Sequence, residues 1–169
     1  MNVLRALGVV ALVVAAVVIQ TAVLSQVSLD GVVPDLALVV VVAAALVRGP
    51  ELGAVTGFVA GMAIDLAPPA DHVAGRWALA LVLVGYLAGR LGYDVGSPVA
   101  AVLAVGAGSF VGTSVFALSG LVLHDHAAPV GEMLQVIGLS VLLDVIVAPL
   151  LLPALLGLFR RLRPPQVAL

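Results

Sequence analysis

The chain has no cysteine, no lysine, few charged residues and few aromatic residues. Without cysteine, disulfides and thiolate metal sites are excluded. Charged residues make up 9% of the sequence, whereas soluble globular proteins have about a quarter. So little charge excludes the basic surface that a nucleic-acid-binding protein needs. What the chain has instead is apolar sequence, with a mean hydropathy of +1.31, which indicates that the lipid bilayer is its solvent.

The sequence contains no recognisable catalytic, cofactor-binding or metal-binding pattern. No serine or cysteine lies near a histidine on one face of the membrane, as nucleophilic catalysis would require. No glycine-rich loop that could bind phosphate precedes a helix. His124 and His126 flank Asp125 in a loop, but two histidines do not complete a metal-ligand set. We therefore expect a solvated loop there, and we expect a protein that is not an enzyme and holds no cofactor.

Apolar runs separated by glycine, proline and charged residues predict six helices in a single transmembrane domain, residues 1–169. The predicted helices cover residues 3–24, 34–47, 51–66, 77–91, 98–123 and 130–159. The fold class is therefore an all-α integral membrane protein, a six-transmembrane-helix bundle. The first run is longer than a signal-peptide core, so we expect an uncleaved span.

Two of these runs have an unusual length. The second is short for a membrane crossing, so we expect it to begin near Leu29, giving residues 29–47, or to lie in a locally thinned bilayer. The sixth is longer than one crossing requires. Because Pro149 and Pro153 each lack a backbone donor, they predict a kink or break within it.

Arginine placement predicts the orientation of the bundle. With cytoplasmic N- and C-termini, six crossings place all but one of the arginines on the inside, as the positive-inside rule requires. The inner arginines are Arg5, Arg48, Arg90, Arg160, Arg161 and Arg163. Arg76 is the exception on the outside, and a five-span arrangement fits less well. We expect Arg160, Arg161 and Arg163 to contact anionic lipid headgroups or a cytoplasmic partner.

Small residues recur every four positions on three of the predicted helices. The stripes consist of Gly53, Gly57 and Gly61 on the third helix, Gly85 and Gly89 on the fourth, and Ala100, Ala104, Gly108 and Gly112 on the fifth. In lipid, such stripes allow two helix backbones to approach closely. They predict packing inside one bundle. The alternative is that one stripe, with the third helix as first choice, receives a partner protein.

Four residues predict a buried network of charged and polar groups: Asp35, Asp65, Arg76 and Asp144. A carboxylate costs about 2.5–3.5 kcal/mol at the centre of a membrane helix, so Asp65 and Asp144 need a reason to be there. We expect Arg76 to pair with Asp65 or with Asp71, and Asp144 is a further possible partner. A proton or cation relay through Asp65 and Asp144 is the functional alternative.

Other polar residues in the apolar runs have simpler expected roles. Asp35 follows Pro34 at the start of the second helix, where a carboxylate caps unpaired N–H groups. Isolated polar side chains occur at Gln20, Thr21, Ser109, Thr113 and Ser114. We expect these to make interhelical hydrogen bonds rather than to form a binding pocket.

Several ordered segments give the chain a resemblance to the rod shape-determining protein MreD family. The segments are Pro34-Asp35-Leu36, Arg48-Gly49, Gly57-Phe58 followed by Gly61 and Asp65, and Gly85-Tyr86-Leu87-Ala88-Gly89-Arg90. The resemblance covers nearly the whole chain, but it does not extend to His124 and His126.

The resemblance implies a non-enzymatic, multi-pass scaffold or adaptor in the bacterial inner membrane that regulates cell shape. Its implied partner is the bitopic protein MreC and, through MreC, the MreB filament, the glycosyltransferase RodA and a penicillin-binding transpeptidase. The fold it implies is similar to the S components of energy-coupling factor transporters. An S-component-like vitamin carrier therefore stays an alternative, as does a proton-coupled transporter. A carrier needs an outward-facing pocket with aromatic and hydrogen-bonding residues.

Overall fold

The protein is all-helical in the part of the chain that the computed structural model describes, which is residues 3–68, 72–92, 96–124 and 129–162. Six α-helices follow one another: α1 (Val3–Ala22), α2 (Leu36–Arg48), α3 (Pro50–Asp65), α4 (Arg76–Gly92), α5 (Pro98–Leu123) and α6 (Val130–Arg161). The predicted all-α class is confirmed, and most helix ends lie within two residues of the predicted ones.

Within the part of the chain that the structure describes, three segments are each long and apolar enough to cross a membrane alone: Arg5–Gln26, Pro98–Leu123 and Val130–Arg161. The first joins α1 to a 3-10 turn, Leu24–Val27. The other two are α5 and α6. Helix α2 is apolar but has only 13 residues.

Helix α2 is the centre of the bundle. Every residue from Ala37 to Val47 is buried, and α2 contacts each of the other five helices. A helix that is hydrophobic on all sides must be buried on all sides, and the run of valines and alanines in α2 meets that condition. Its neighbours therefore shield it from lipid over its whole length.

The expected extension of α2 back to Leu29 is wrong. Leu29 and Val32 instead exchange backbone hydrogen bonds of 2.9 and 2.8 Å in a tight turn, in which Gly31 has a φ of 80°. Pro34 then favours extended backbone before it. Asp35 caps the helix, because its Oδ1 accepts a 2.9 Å hydrogen bond from the Leu38 N–H, as the sequence predicted.

Helix α6 runs without a break from Val130 to Arg161 through both of its prolines. Of the predicted kink or break, the break is therefore wrong, and the kink stays a prediction. Pro149 and Pro153 are both on the exposed side of α6, so the ring of each proline projects away from the core. A proline has no N–H to donate to the carbonyl four residues earlier. In α6, Pro149 and Pro153 therefore leave the carbonyls of Val145 and Pro149 without this helical hydrogen bond, and the helix nevertheless continues.

The helices alternate in direction, so each end of the bundle collects a different set of charged residues. One end, called here the arginine end, carries Arg5, Arg48, Arg90, Arg160 and Arg161. There Arg48 Nη1 donates a 2.9 Å hydrogen bond to the Leu162 carbonyl, which joins the ends of α2 and α6. The opposite end, called the acidic end, carries Asp30, Asp65 and Arg76.

Candidate functional site

The glycine stripe of α3 packs directly against α4. A Cβ at Gly53 would overlap the Gly85 carbonyl, one at Gly57 would overlap the Leu81 carbonyl, and one at Gly61 would overlap the backbone of Ala78. The obstacle is backbone in each case, so no side-chain rotation relieves it. These glycines are therefore the contact surface of an antiparallel α3–α4 pair.

The remaining glycine positions also face other parts of the same molecule. A Cβ at Gly89 would lie 2.5 Å from Pro50 Cα, at the arginine end of the α3–α4 pair. On α5, a Cβ at Gly108 or Gly112 would lie 3.0 or 3.3 Å from the nearest Val84 methyl group. The alternative in which the α3 stripe receives a partner protein does not hold, because α4 occupies it.

Asp65 holds the beginning of α4. Its Oδ2 accepts hydrogen bonds from the backbone N–H groups of Gly75 (2.9 Å) and Ala78 (3.1 Å), and its Oδ1 accepts one from Trp77 (3.2 Å). His72 Nδ1 lies 3.6 Å from Oδ1. A negative charge is favoured at a helix N-terminus, where backbone donors have no helical partner. Asp65 is thus a capping group, although it lies 11 residues before α4 begins.

Arg76 is buried against the end of α5. Its Nη2 donates to the Phe116 carbonyl (2.7 Å) and its Nε to Ser119 Oγ (3.2 Å), while its Cζ lies 3.9 Å from the centre of the Phe116 ring. A Cβ at Gly120 would collide with the guanidinium. The positive group therefore meets a backbone carbonyl, a hydroxyl and an aromatic face, and an aromatic face is a favourable environment for a cation.

The predicted ion pair between Asp65 and Arg76 is wrong. The contacts of Asp65 within the described residues go to α4 backbone amides and to His72, and Asp144 lies with Asp35 instead of Arg76. Asp71, the other predicted partner, lies outside the described residues, so its pairing with Arg76 stays a prediction. Within the described residues, Asp65 caps the start of α4, and Arg76 donates to a carbonyl and a hydroxyl of α5.

A polar cavity of about 260 Å³ lies near the acidic end, between α1, α2, α4, α5 and α6. Its walls combine polar groups with aromatic and aliphatic ones. Among the lining residues are Gln20, Asp35, Trp77, Ser109, Thr113, Phe116, Ser140 and Asp144. The rings of Trp77 and Phe116 are stacked with their centres 4.5 Å apart. This is the mixed composition of small-molecule sites, apolar walls with a few placed polar groups.

Of the three aspartates that line the cavity, Asp30 is exposed, and the two buried ones, Asp35 and Asp144, differ in their hydrogen bonding. Asp144 Oδ1 accepts a 2.6 Å hydrogen bond from the Asp35 N–H, which ties α6 to the start of α2. Ser109 lies beside the Asp144 carboxylate, yet neither Ser109 Oγ nor Asp144 Oδ2 makes a hydrogen bond of good geometry within the described residues. Each of these two residues is only 1% exposed. Asp35, in contrast, is engaged by the backbone of α2.

Sequence reasoning missed this cavity. It assigned Gln20, Thr21, Ser109, Thr113 and Ser114 to interhelical hydrogen bonds. Gln20 makes one, by accepting from the Ala37 N–H at 3.3 Å, whereas the Thr21 hydroxyl donates to the Val17 carbonyl within α1. The Thr113 hydroxyl donates to the Ser109 carbonyl within α5. The sequence did contain a signal for the cavity. Ser109 and Thr113 are four residues apart, as are Ser140 and Asp144, and this spacing places the two polar residues of each pair on one helix face.

The arginine end presents an apolar groove between the start of α5 and the second half of α6. The groove has a volume of about 580 Å³, and Pro98, Val102, Pro149, Pro153 and Leu156 line it, with Arg160 at its edge. Arg160 and Arg161 are exposed, and Arg163 lies outside the described residues. His124 is an exposed helix cap with a φ of 54°, and His126 also lies outside. Within the described residues no three or more metal-ligating side chains cluster.

Comparison with known proteins completes this description. No curated protein and no solved structure matches the chain. Residues 2–162 match the family described as rod shape-determining protein MreD, which is a family of shape-determining membrane proteins and not a known enzyme family. The match includes all six helices described above. The chain therefore belongs to the rod shape-determining protein MreD family, with a role in determining rod shape.

Proposed function

We propose that the protein is a non-enzymatic scaffold of the cell-wall elongation complex in the bacterial inner membrane. Family membership over residues 2–162 is the observation that carries this proposal. In this role the chain contacts an MreC-type bitopic protein and, indirectly, the MreB filament, a RodA-type glycosyltransferase and a penicillin-binding transpeptidase. Its mechanism is contact within the membrane, and it involves no chemistry of its own.

In the proposed topology, all six helices cross the membrane, and both termini are cytoplasmic. The arginine end supports this orientation, since Arg5, Arg48, Arg90, Arg160 and Arg161 lie together there. Helix α2 is short, but its burial among five other helices frees it from spanning lipid alone. Exposed Arg160 and Arg161 then face anionic lipid headgroups or a cytoplasmic partner.

The partner contact that we propose is the groove between α5 and α6. The glycine stripes are filled by helices of the same chain, so a partner has to use another surface. A groove between two helices receives the side-chain ridge of a third helix, and this groove has apolar walls for a membrane helix. The MreC-type protein has one transmembrane helix, which is the occupant proposed here.

Groove filling tests the contact. Val102→Trp places a large ring in the groove, whereas Leu150→Trp adds the same ring on α6 at a site that is 79% exposed and outside the groove. Each variant is co-expressed with its MreC-type protein and purified by a tag in mild detergent. We expect recovery of MreC to fall at least tenfold for Val102→Trp and to be unchanged for Leu150→Trp. Equal recovery from both variants would refute the groove as the interface.

The polar cavity favours a second candidate function, a small-molecule carrier similar to energy-coupling factor S components. It provides the aromatic and hydrogen-bonding groups that such a pocket needs, although the similarity of fold stays a prediction. A carrier would co-purify with an ATPase module, and a vitamin would raise its melting temperature. A proton-coupled transporter is less well supported, since hydrogen-bond donors engage both oxygens of Asp65.

A further inference from the structure

We propose that the polar cavity binds a small monovalent cation, an alkali ion or a small ammonium ion, through Asp144 Oδ2 and Ser109 Oγ. This site is independent of the scaffold function. Three aspartates line the cavity: the exposed Asp30 and the buried Asp35 and Asp144, which lie side by side. No basic residue is among the described residues that line it.

Two of the three buried side-chain oxygens that lack a hydrogen bond within the described residues lie together in this cavity, and the third, Thr56 Oγ1, is on α3. Asp144 and Ser109 are each 1% exposed, and Asp144 Oδ2 and Ser109 Oγ both lack a hydrogen bond of good geometry within the described chain. An unpaired polar atom in such a position costs about 1–3 kcal/mol, and more when it is charged. Two adjacent oxygens that share this cost form a natural pair of ligands for one cation.

The neighbouring carboxylate, that of Asp35, already has backbone hydrogen-bond donors and lies at the positive end of a helix, so it needs no bound cation. Asp35 Oδ1 accepts from the Leu38 N–H at 2.9 Å, and the residue caps the positive end of α2. Asp144 receives one backbone N–H, that of Asp35, on its Oδ1 only. Among the described residues, the Arg76 guanidinium donates to the Phe116 carbonyl and to Ser119. A bound cation would therefore supply the charge that no described basic side chain of the cavity wall provides to Asp144.

The dimensions of the cavity limit the ligand to a small one. A volume of about 260 Å³ has room for a partly hydrated alkali ion or for an ammonium ion with a short alkyl group. Trp77 and Phe116 form one wall, in which Phe116 stacks on Trp77 and already carries the Arg76 guanidinium, so Trp77 is the aromatic residue considered for the ligand. Aromatic faces attract cations, and organic ammonium ions are bound in this way in other proteins. Carboxylate, hydroxyl and aromatic ring together are thus a donor set for a monovalent cation.

The test measures the thermal unfolding of the purified full-length protein in detergent. Sodium, potassium or methylammonium chloride replaces N-methyl-D-glucamine chloride at constant ionic strength. We expect a saturable rise in melting temperature of about 5–10 °C at a hundredfold excess over Kd. A response to sodium or potassium identifies a metal ion, and a response to methylammonium alone identifies an amine.

Variants locate the effect. Asp144→Asn keeps the shape of the side chain and should abolish the cation-dependent shift, while Ser109→Ala should weaken apparent affinity about tenfold. Glu132→Gln, which neutralises an exposed acid on the same helix, should respond as the wild type does. If Asp144→Asn does not fold, Ser109→Ala decides. The proposal is overturned if no cation shifts the wild-type protein, or if the decisive variant responds with wild-type affinity.

Discussion

Gly57→Ala tests the packing of the α3–α4 pair most sharply. The added methyl group would overlap the Leu81 carbonyl, which is fixed in the hydrogen-bond ladder of α4. Because backbone cannot rotate away, the two helices must move apart. Overpacking of a core costs about 1–3 kcal/mol, and we expect the upper half of that range. The better helix propensity of alanine returns about 1 kcal/mol, so the net loss is about 1–2 kcal/mol.

A matched control is available on α6. Gly138 is an exposed helical glycine, and a Cβ there would meet no atom within 4 Å. Gly138→Ala should therefore leave the melting temperature in detergent unchanged or raise it, whereas Gly57→Ala should lower it by about 2–8 °C. If the two variants unfold at the same temperature, the contact between α3 and α4 is not as close as described, and the argument from glycine fails.

Three further substitutions, at Asp65 and Gly120, test the charged groups at the acidic end. Asp65→Ala removes the acceptor for three backbone N–H groups at the start of α4 and should lower the free energy of unfolding by about 3 kcal/mol. Asp65→Asn should lower it by roughly half as much, because one acceptor oxygen stays. Chemical denaturation in detergent measures both, and equal stability of all three proteins would contradict the capping role. Gly120→Ala should destabilise the protein by about 1 kcal/mol, less than Gly57→Ala, because the added methyl group meets the flexible end of the Arg76 side chain instead of backbone. A larger loss than for Gly57→Ala would show that the guanidinium cannot shift.

Much of the fold was predictable because lipid imposes strong constraints on sequence. Apolar runs bounded by proline and charge gave six helices near their observed positions. The spacing of Gly53, Gly57 and Gly61 predicted close helix packing, and the structure identifies α4 as the helix against which they pack. The sorting of arginines to alternate loops predicted the collection of Arg48, Arg160 and others at one end of the bundle.

The candidate site was less predictable, because it depends on which helices are neighbours. Asp65 and Arg76 looked like an ion pair, since both lie near the same end of the bundle. Asp65 instead caps the start of α4, and Arg76 donates to a carbonyl within α5, two partners that sequence spacing does not display. The cavity has the same origin: Asp144 and Ser109 come together only when α5 and α6 pack side by side. The turn from Leu29 to Val32, which comes before the start of α2, was likewise not predicted, because it lies beside an apolar run that resembles helix.

Cell shape is the direct readout of the central claim, which is that the protein acts through its membrane contacts. A rod-shaped bacterium depleted of its own MreD-family protein is complemented with the wild-type chain, Val102→Trp or Leu150→Trp at equal membrane levels, and cell width is measured. The account predicts rods of normal width with the wild-type chain and Leu150→Trp, and rounded cells with Val102→Trp. Normal rods with Val102→Trp would contradict it.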